Sequence, residues 1–204
     1  MNKNPHLIVF DAFGTLVKMS KGRSPYLKLM KWLKDHGRKP TALDAKIIMS
    51  HAVTIPGLAI LFGKEIPNYL IDELNYDLQL DLNLVELYKD SIPRLQNLKE
   101  QGFQVVLCSN LALPYGERLK QILPNHLFDA VIFSYEVGKI KPEPTIYQVI
   151  CEKFDCQMSD LLFIGDHPIL DVETPISLGI QARSIDINNN QNLANVLSDF
   201  LQSE

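Results

Sequence analysis

The stretch His6-Leu7-Ile8-Val9-Phe10-Asp11-Ala12-Phe13-Gly14-Thr15-Leu16 decides the fold. A mostly apolar run, β-branched and aromatic in part, leads straight into Asp11. Such a run reads as a strand buried in a parallel sheet. Gly14 permits the tight turn that ends it. Asp11 is therefore expected at the carboxyl end of a core strand, the edge where open α/β sheets bind ligands. Taken alone, it reads as a cap on the next element.

Downstream the pattern turns helical. Ser24-Pro25 is a helix start, with serine at the N-cap and proline in the first turn. Leu29, Met30 and Leu33 follow at helical spacing, and Gly37 is a stop. Thr41-Ala42-Leu43-Asp44 resembles a capping box opening a helix to about residue 52. Pro56-Gly57 reads as a break before a short helix at 58–62, and Pro67 opens a run carrying Leu70, Ile71, Leu74 and Leu78. No strand is expected between 18 and 88.

From residue 91 onward strand and helix alternate. Strands are expected at 103–108, 130–133, 161–164 and 179–185. Helices are expected at 91–101, 114–123, 143–154, from 166 to 178, and at 193–201 after a polar loop at 188–192. Alternation of this kind implies a parallel sheet with helices on both faces. The fold class is therefore α/β. The core is expected to comprise 1–17 and 89–204, with a helical insertion at 18–88.

The chain has 204 residues, 46% hydrophobic and 22% charged, with a net charge of −4. That length suits one core domain with an inserted module. No basic run invites nucleic acid. No apolar run approaches the ~20 residues that span a bilayer, so no membrane partner is expected. The run before Asp11 is too short for a signal peptide. The three cysteines, Cys108, Cys151 and Cys156, match no common zinc or redox spacing. Cys108 reads as a small core residue, and nothing requires a bridge between Cys151 and Cys156. A soluble cytoplasmic protein, monomer or homodimer, is expected.

Four strand ends carry polar groups. Asp11 and Thr15 follow the first, Ser109 and Asn110 the second. The third ends at Ser134 and leads to Lys141; Asp166 and Asp171 follow the fourth. In a parallel sheet all four ends share one edge. Singly they read as a turn, a solvated charge and helix caps. Together they suit phosphoryl transfer through an aspartyl intermediate. Asp11 and Asp166 offer oxygen ligands for a hard cation such as Mg2+. Ser109, the backbone beside Asn110, and Lys141 offer groups for phosphate oxygens.

The four segments resemble the motifs of the haloacid dehalogenase superfamily, in order and with suitable spacing. They are Asp11-Ala12-Phe13-Gly14-Thr15-Leu16, Ser109-Asn110, Gly138-Lys139-Ile140-Lys141-Pro142-Glu143-Pro144 and Gly165-Asp166-His167-Pro168-Ile169-Leu170-Asp171. The resemblance implies a three-layer α/β/α Rossmann-like core with a small all-helical cap. It makes Asp11 the nucleophile. Thr15 and Ser109 position substrate, Lys141 is the motif lysine with Lys139 the weaker candidate, and Asp166 holds the metal. Asp171 holds Lys141 or the metal's water shell. The backbone carbonyl of Phe13 is a further metal ligand. The implied partner is a small phosphorylated metabolite.

Phe13 is where the chain departs. Phosphatases of this superfamily usually carry a second aspartate there, which protonates the leaving group. Phe13 cannot, and general acid–base help is worth about 100- to 10,000-fold. A cap residue such as His51 or Lys46 is one substitute. An aromatic residue at this position also resembles the L-2-haloacid dehalogenase branch, which displaces halide without metal. The Asp166 segment fits that branch poorly, and Arg23, the one early cap arginine, does not match its place. A phosphonoacetaldehyde hydrolase reading would require a Schiff-base lysine such as Lys46. A binding module with reduced catalysis is the non-enzyme reading; the retained carboxylates and lysine weigh against it.

Overall fold

The computed structural model describes residues 6–187 and 191–198. β1 (Leu7–Phe10) is followed by β2 (Val17–Met19), α1 (Pro25–Asp35), α2 (Asp44–Ser50), α3 (Ile55–Leu61), α4 (Asn68–Asn83) and β3 (Val85–Leu87). Then come α5 (Ser91–Glu100), β4 (Gln104–Ser109), α6 (Leu113–Ile122), β5 (Ala130–Phe133), α7 (Ser134–Val137) and α8 (Pro144–Phe154). β6 (Leu161–Gly165), a wide helical turn (Pro168–Glu173), α9 (Thr174–Ser177), β7 (Gln181–Ser184) and α10 (Leu193–Val196) complete the described chain. Residues 188–190 of the expected loop and 199–201 of the expected last helix lie outside the described residues.

Five strands form one parallel sheet in the order β5-β4-β1-β6-β7. β1 is central, in register with β4 through Phe10–Leu107 and with β6 through Phe10–Ile164. Its side chains alternate between faces, as a strand's period of two requires. Ile8 and Phe10 join the layer of α5, α6 and α10 through Leu95, Leu119 and Leu193. Leu7 and Val9 join the layer of α8 through Ile146, Tyr147 and Ile150. The result is a three-layer α/β/α core. Burying each such side chain contributes about 1.5–3 kcal/mol. Successive strands run outward from β1 on one side and later on the other, so β1 stands at a topological switch point.

The helices α1 to α4 share a separate apolar cluster, with Leu29 and Leu33 packed with Leu58, Leu70 and Leu74. The expectation of no strand in this region is corrected: β2 and β3 pair antiparallel, Val17 against Leu87 and Met19 against Val85. Three-residue strands are too short to show an alternating pattern. Pro56-Gly57 is also not a break. Both lie in the first turn of α3, where Thr54 Oγ1 accepts from Gly57 N at 3.5 Å; proline is tolerated there because its missing N–H would be unpaired. Ser24 precedes α1 as expected, but its side chain makes no cap. Its backbone N–H donates instead to Asp81 Oδ2 at 3.0 Å. The capping box expected at Thr41–Asp44 is corrected: Thr41 N and Oγ1 both donate to the Asp44 carboxylate, and α2 begins only at Asp44, with Leu43 at its N-cap and no side-chain cap. The third long strand stops at Phe133, and Ser134 opens α7.

Candidate active site

The loop after β1 is shaped by close approach. Asp11 N donates to Ile164 O at 2.9 Å, which fixes the aspartate at the strand end. Gly14 has φ +77°, and a Cβ there would lie 2.1 Å from Asp166 Oδ2. Only glycine lets this backbone approach the second carboxylate. Gly165 plays the same part beneath Asp171, whose Oδ2 would meet an added Cβ at 2.3 Å.

Lys141 joins the carboxylates. Its Nζ donates to Asp11 Oδ1 at 2.8 Å and to Asp171 Oδ1 at 2.6 Å. All three residues are buried. Burial alone would lower the Lys141 ammonium, but the negative charges of Asp11 and Asp171 outweigh it and raise the group above its ordinary value. The lysine is therefore a fixed cation. Asn110 holds its backbone from both sides: Lys141 N donates to Asn110 Oδ1 at 2.8 Å, and Asn110 Nδ2 donates to Lys141 O at 2.7 Å. The Lys141–Pro142 peptide is cis. His167 N donates to Asp171 Oδ2 at 3.0 Å, so both oxygens of that carboxylate are used.

Asp11, Asp166 and Asp171 each bring a carboxylate oxygen within 4.8 Å of the others. One ammonium faces three carboxylates. Partial burial, then the charges of Asp11 and Asp171, raise the Asp166 carboxyl above its ordinary value. An all-oxygen donor set with surplus negative charge, cradled against a glycine, fits a hard divalent cation.

The other expected residues are placed as follows. Ser109 is buried at the end of β4. Thr15 is fully enclosed, and its Oγ1 has no hydrogen-bond partner. Phe13 is half-buried and edge-on to Tyr115, with ring centres 6.1 Å apart. Lys139 makes no contact with the cluster that the structure records, while Lys141 makes two. Cys108 packs beneath the site, where burial pushes its thiol up to about 12; it is a neutral core residue.

The suggested substitutes for an acid at position 13 are engaged elsewhere. Lys46 Nζ is paired with Glu143 Oε1 at 2.5 Å. His51 Nδ1 lies 3.0 Å from Ile47 O. His167 Nδ1 accepts from Ile169 N and Leu170 N, a helix-entry role. Trp32 stacks on His36 and packs among the helices α1 to α4.

The sequence marks Ser134 only as a strand end and does not single out Tyr26 or Tyr115. Ser134 Oγ donates to Met49 O at 2.6 Å and accepts from Leu111 N at 2.8 Å, tying α2 to the strand ends. Tyr26 and Tyr115 face each other across the same seam, with ring centres 6.2 Å apart. Both line a cavity of about 290 Å³ with Phe13, Met49, Asn110 and Leu111. No local periodicity marks them, because they meet only through tertiary packing.

Residues 5–179 match the haloacid dehalogenase-like hydrolase family. A glyceraldehyde 3-phosphate phosphatase of Methanopyrus kandleri is 31% identical over 86 residues, 42% of this chain and 37% of that protein. A phosphoglycolate phosphatase of Mannheimia succiniciproducens is 32% identical over 85 residues, 41% of this chain and 38% of that protein. The matched part thus spans less than two fifths of the length of either relative. A HAD family enzyme of Bacteroides thetaiotaomicron, solved in complex with magnesium and inorganic phosphate, aligns over 88% of this chain and 93% of that one, with a TM-score of 0.61 and 18% identity. At that identity the likeness is one of fold. The family match covers four of the five sheet strands, β1, β4, β5 and β6, with the carboxylate cluster and Lys141, and the chain belongs to the haloacid dehalogenase-like hydrolases.

Proposed function

We propose that the protein is a Mg2+-dependent phosphatase of small phosphate esters, working through an aspartyl phosphate on Asp11. The observation that carries this reading is the buried chain Asp171–Lys141–Asp11 with Asp166 in reach. Asp11, Asp166 and the Phe13 carbonyl would hold the metal. When bound, Mg2+ neutralises charge on the transferring phosphoryl group and on the nucleophile.

The chain's own residues do the rest. An Asp11 oxygen bonds to phosphorus as the ester P–O bond breaks, and the electron pair leaves on the alcohol oxygen. Water then attacks phosphorus and restores the carboxylate. Lys141 stabilises negative charge on the phosphoryl oxygens, with Ser109 and the backbone beside Asn110 as further donors. Asp171 positions Lys141. The helices α1 to α4 act as a cap that excludes water and selects substrate. Among the described residues no helix is long and apolar enough to cross a membrane.

The dehalogenase reading lacks its cation. Arg23 lines a different cavity, with Lys21 and Leu80, and not the one against Phe13. Phosphate release from an aryl phosphate, dependent on Mg2+ and lost in Asp11→Asn, is the expected result. Halide release from a short 2-haloacid without metal, and no phosphate release, would sink the reading.

A further inference from the structure

The cavity of about 290 Å³ begins at Phe13, two residues past Asp11, and at Asn110, which clamps Lys141. Its remaining wall is apolar or aromatic: Met19, Ile48, Met49, Leu111, Ala112, Tyr26 and Tyr115. Among the described residues, no charged side chain lines it. A cavity of about 150 Å³ holds benzene, so this one has room for a substituted ring. A leaving group carrying a carboxylate or second phosphate would lie unpaired against these walls, at a large desolvation cost.

One residue of this wall carries a polar atom with nothing to bond. Tyr26 Oη is buried and has no hydrogen-bond partner. Buried tyrosine hydroxyls ordinarily find one. Burial keeps this phenol protonated, raised above its ordinary value, so it is available as a neutral donor. Phe13 adds a chemical constraint. With no acid at that position, the departing oxygen must leave as an anion, which a phenol tolerates far better than an alkyl alcohol.

We propose that the cavity takes the uncharged aromatic leaving group of an aryl phosphate monoester, and that Tyr26 donates to a hydrogen-bond acceptor on that ring. This rests on the phosphatase reading above and names its substrate class. The Asp11–phosphorus bond forms as the aryl ester bond breaks, and the pair leaves as a phenoxide. Water attacks the aspartyl phosphate, releasing inorganic phosphate and a proton to solvent. Tyr26 is a specificity residue and moves no proton.

The test uses phenyl phosphate, 4-acetylphenyl phosphate and 2-phosphoglycolate with Mg2+, in the wild type and Tyr26→Phe. Both aryl esters should exceed phosphoglycolate in kcat/KM by at least about 10-fold. Tyr26→Phe should raise KM for the acetyl ester about fivefold, with kcat held and phenyl phosphate unchanged. Preference for phosphoglycolate, or an equal effect of Tyr26→Phe on both aryl esters, overturns the proposal and leaves the phosphatase reading standing. If no ester is turned over, the phosphatase reading fails and the proposed substrate class falls with it. Calorimetric titration with 4-hydroxyacetophenone needs no turnover and tests the cavity separately. Binding about fivefold weaker in Tyr26→Phe supports the assigned contact; equal or absent binding overturns it.

Discussion

Lys141 and Asp171 are joined inside the protein, Nζ to Oδ1 at 2.6 Å, with side chains only 2% and 1% exposed. The pair hands the lysine's second bond to Asp11. A buried charge in this position is costly to orphan. Lys141→Met should lower stability by about 3–5 kcal/mol, because it leaves two buried carboxylates facing each other. Phosphate release should fall at least about 100-fold. Urea denaturation of the metal-free protein and a phosphate assay check both. A variant as stable as the wild type would show that the lysine's charge is not what holds the carboxylates.

Gly14→Ala should damage the metal site directly. The added Cβ would meet the Asp166 carboxylate, and the backbone at φ +77° disfavours any side chain. Mg2+ affinity, measured by calorimetry, should fall at least about 10-fold. Unchanged affinity would remove Asp166 from the proposed ligand set.

The strand ends were legible because a parallel sheet sends them all to one edge. Asp11, Asn110, Lys141 and Asp171 are far apart in sequence, yet each follows an apolar run ending in a turn. What was not legible lacked a period. β2 and β3 have three residues each, and α7 has four. Pro56-Gly57 carries the same signal in a loop as in a first helical turn, and only the Thr54 cap separates the two. Tyr26 sits where a helix start predicts nothing about chemistry. Its ring meets that of Tyr115, with centres 6.2 Å apart, only through tertiary packing.

Arg38 and Asp44 offer a test away from the site. Arg38 Nη1 and Nη2 both bond the carboxylate, at 2.9 and 2.5 Å, and hold Asp44 well below the usual carboxylate range. A depressed folded value favours the ionised form, so the pair stabilises the fold above the unfolded value near about 3.9. That contribution is lost as pH falls through the lower folded value. Asp44→Asn should cost about 1.5–3 kcal/mol at neutral pH. The gap from wild type should narrow below about pH 4. A gap that stays constant into strong acid would contradict the pairing.

Phe13→Asp should shift leaving-group preference. A carboxyl at this position supplies the missing acid, so alkyl phosphates should gain about 10-fold or more in kcat. Aryl phosphates should lose ground, since a charge enters an apolar cavity. Parallel rates for alkyl and aryl esters in both proteins check this. No gain with alkyl esters would mean that the cap, not the acid, limits them.

The central claim is covalent chemistry at Asp11. The protein should be mixed with an aryl phosphate and Mg2+, quenched in acid within the first turnover, and digested for peptide mass analysis. One phosphoryl group is expected on the peptide containing Asp11, absent without Mg2+ and absent in Asp11→Asn. Phosphate release with no adduct on that peptide, or an adduct on another residue, would contradict it.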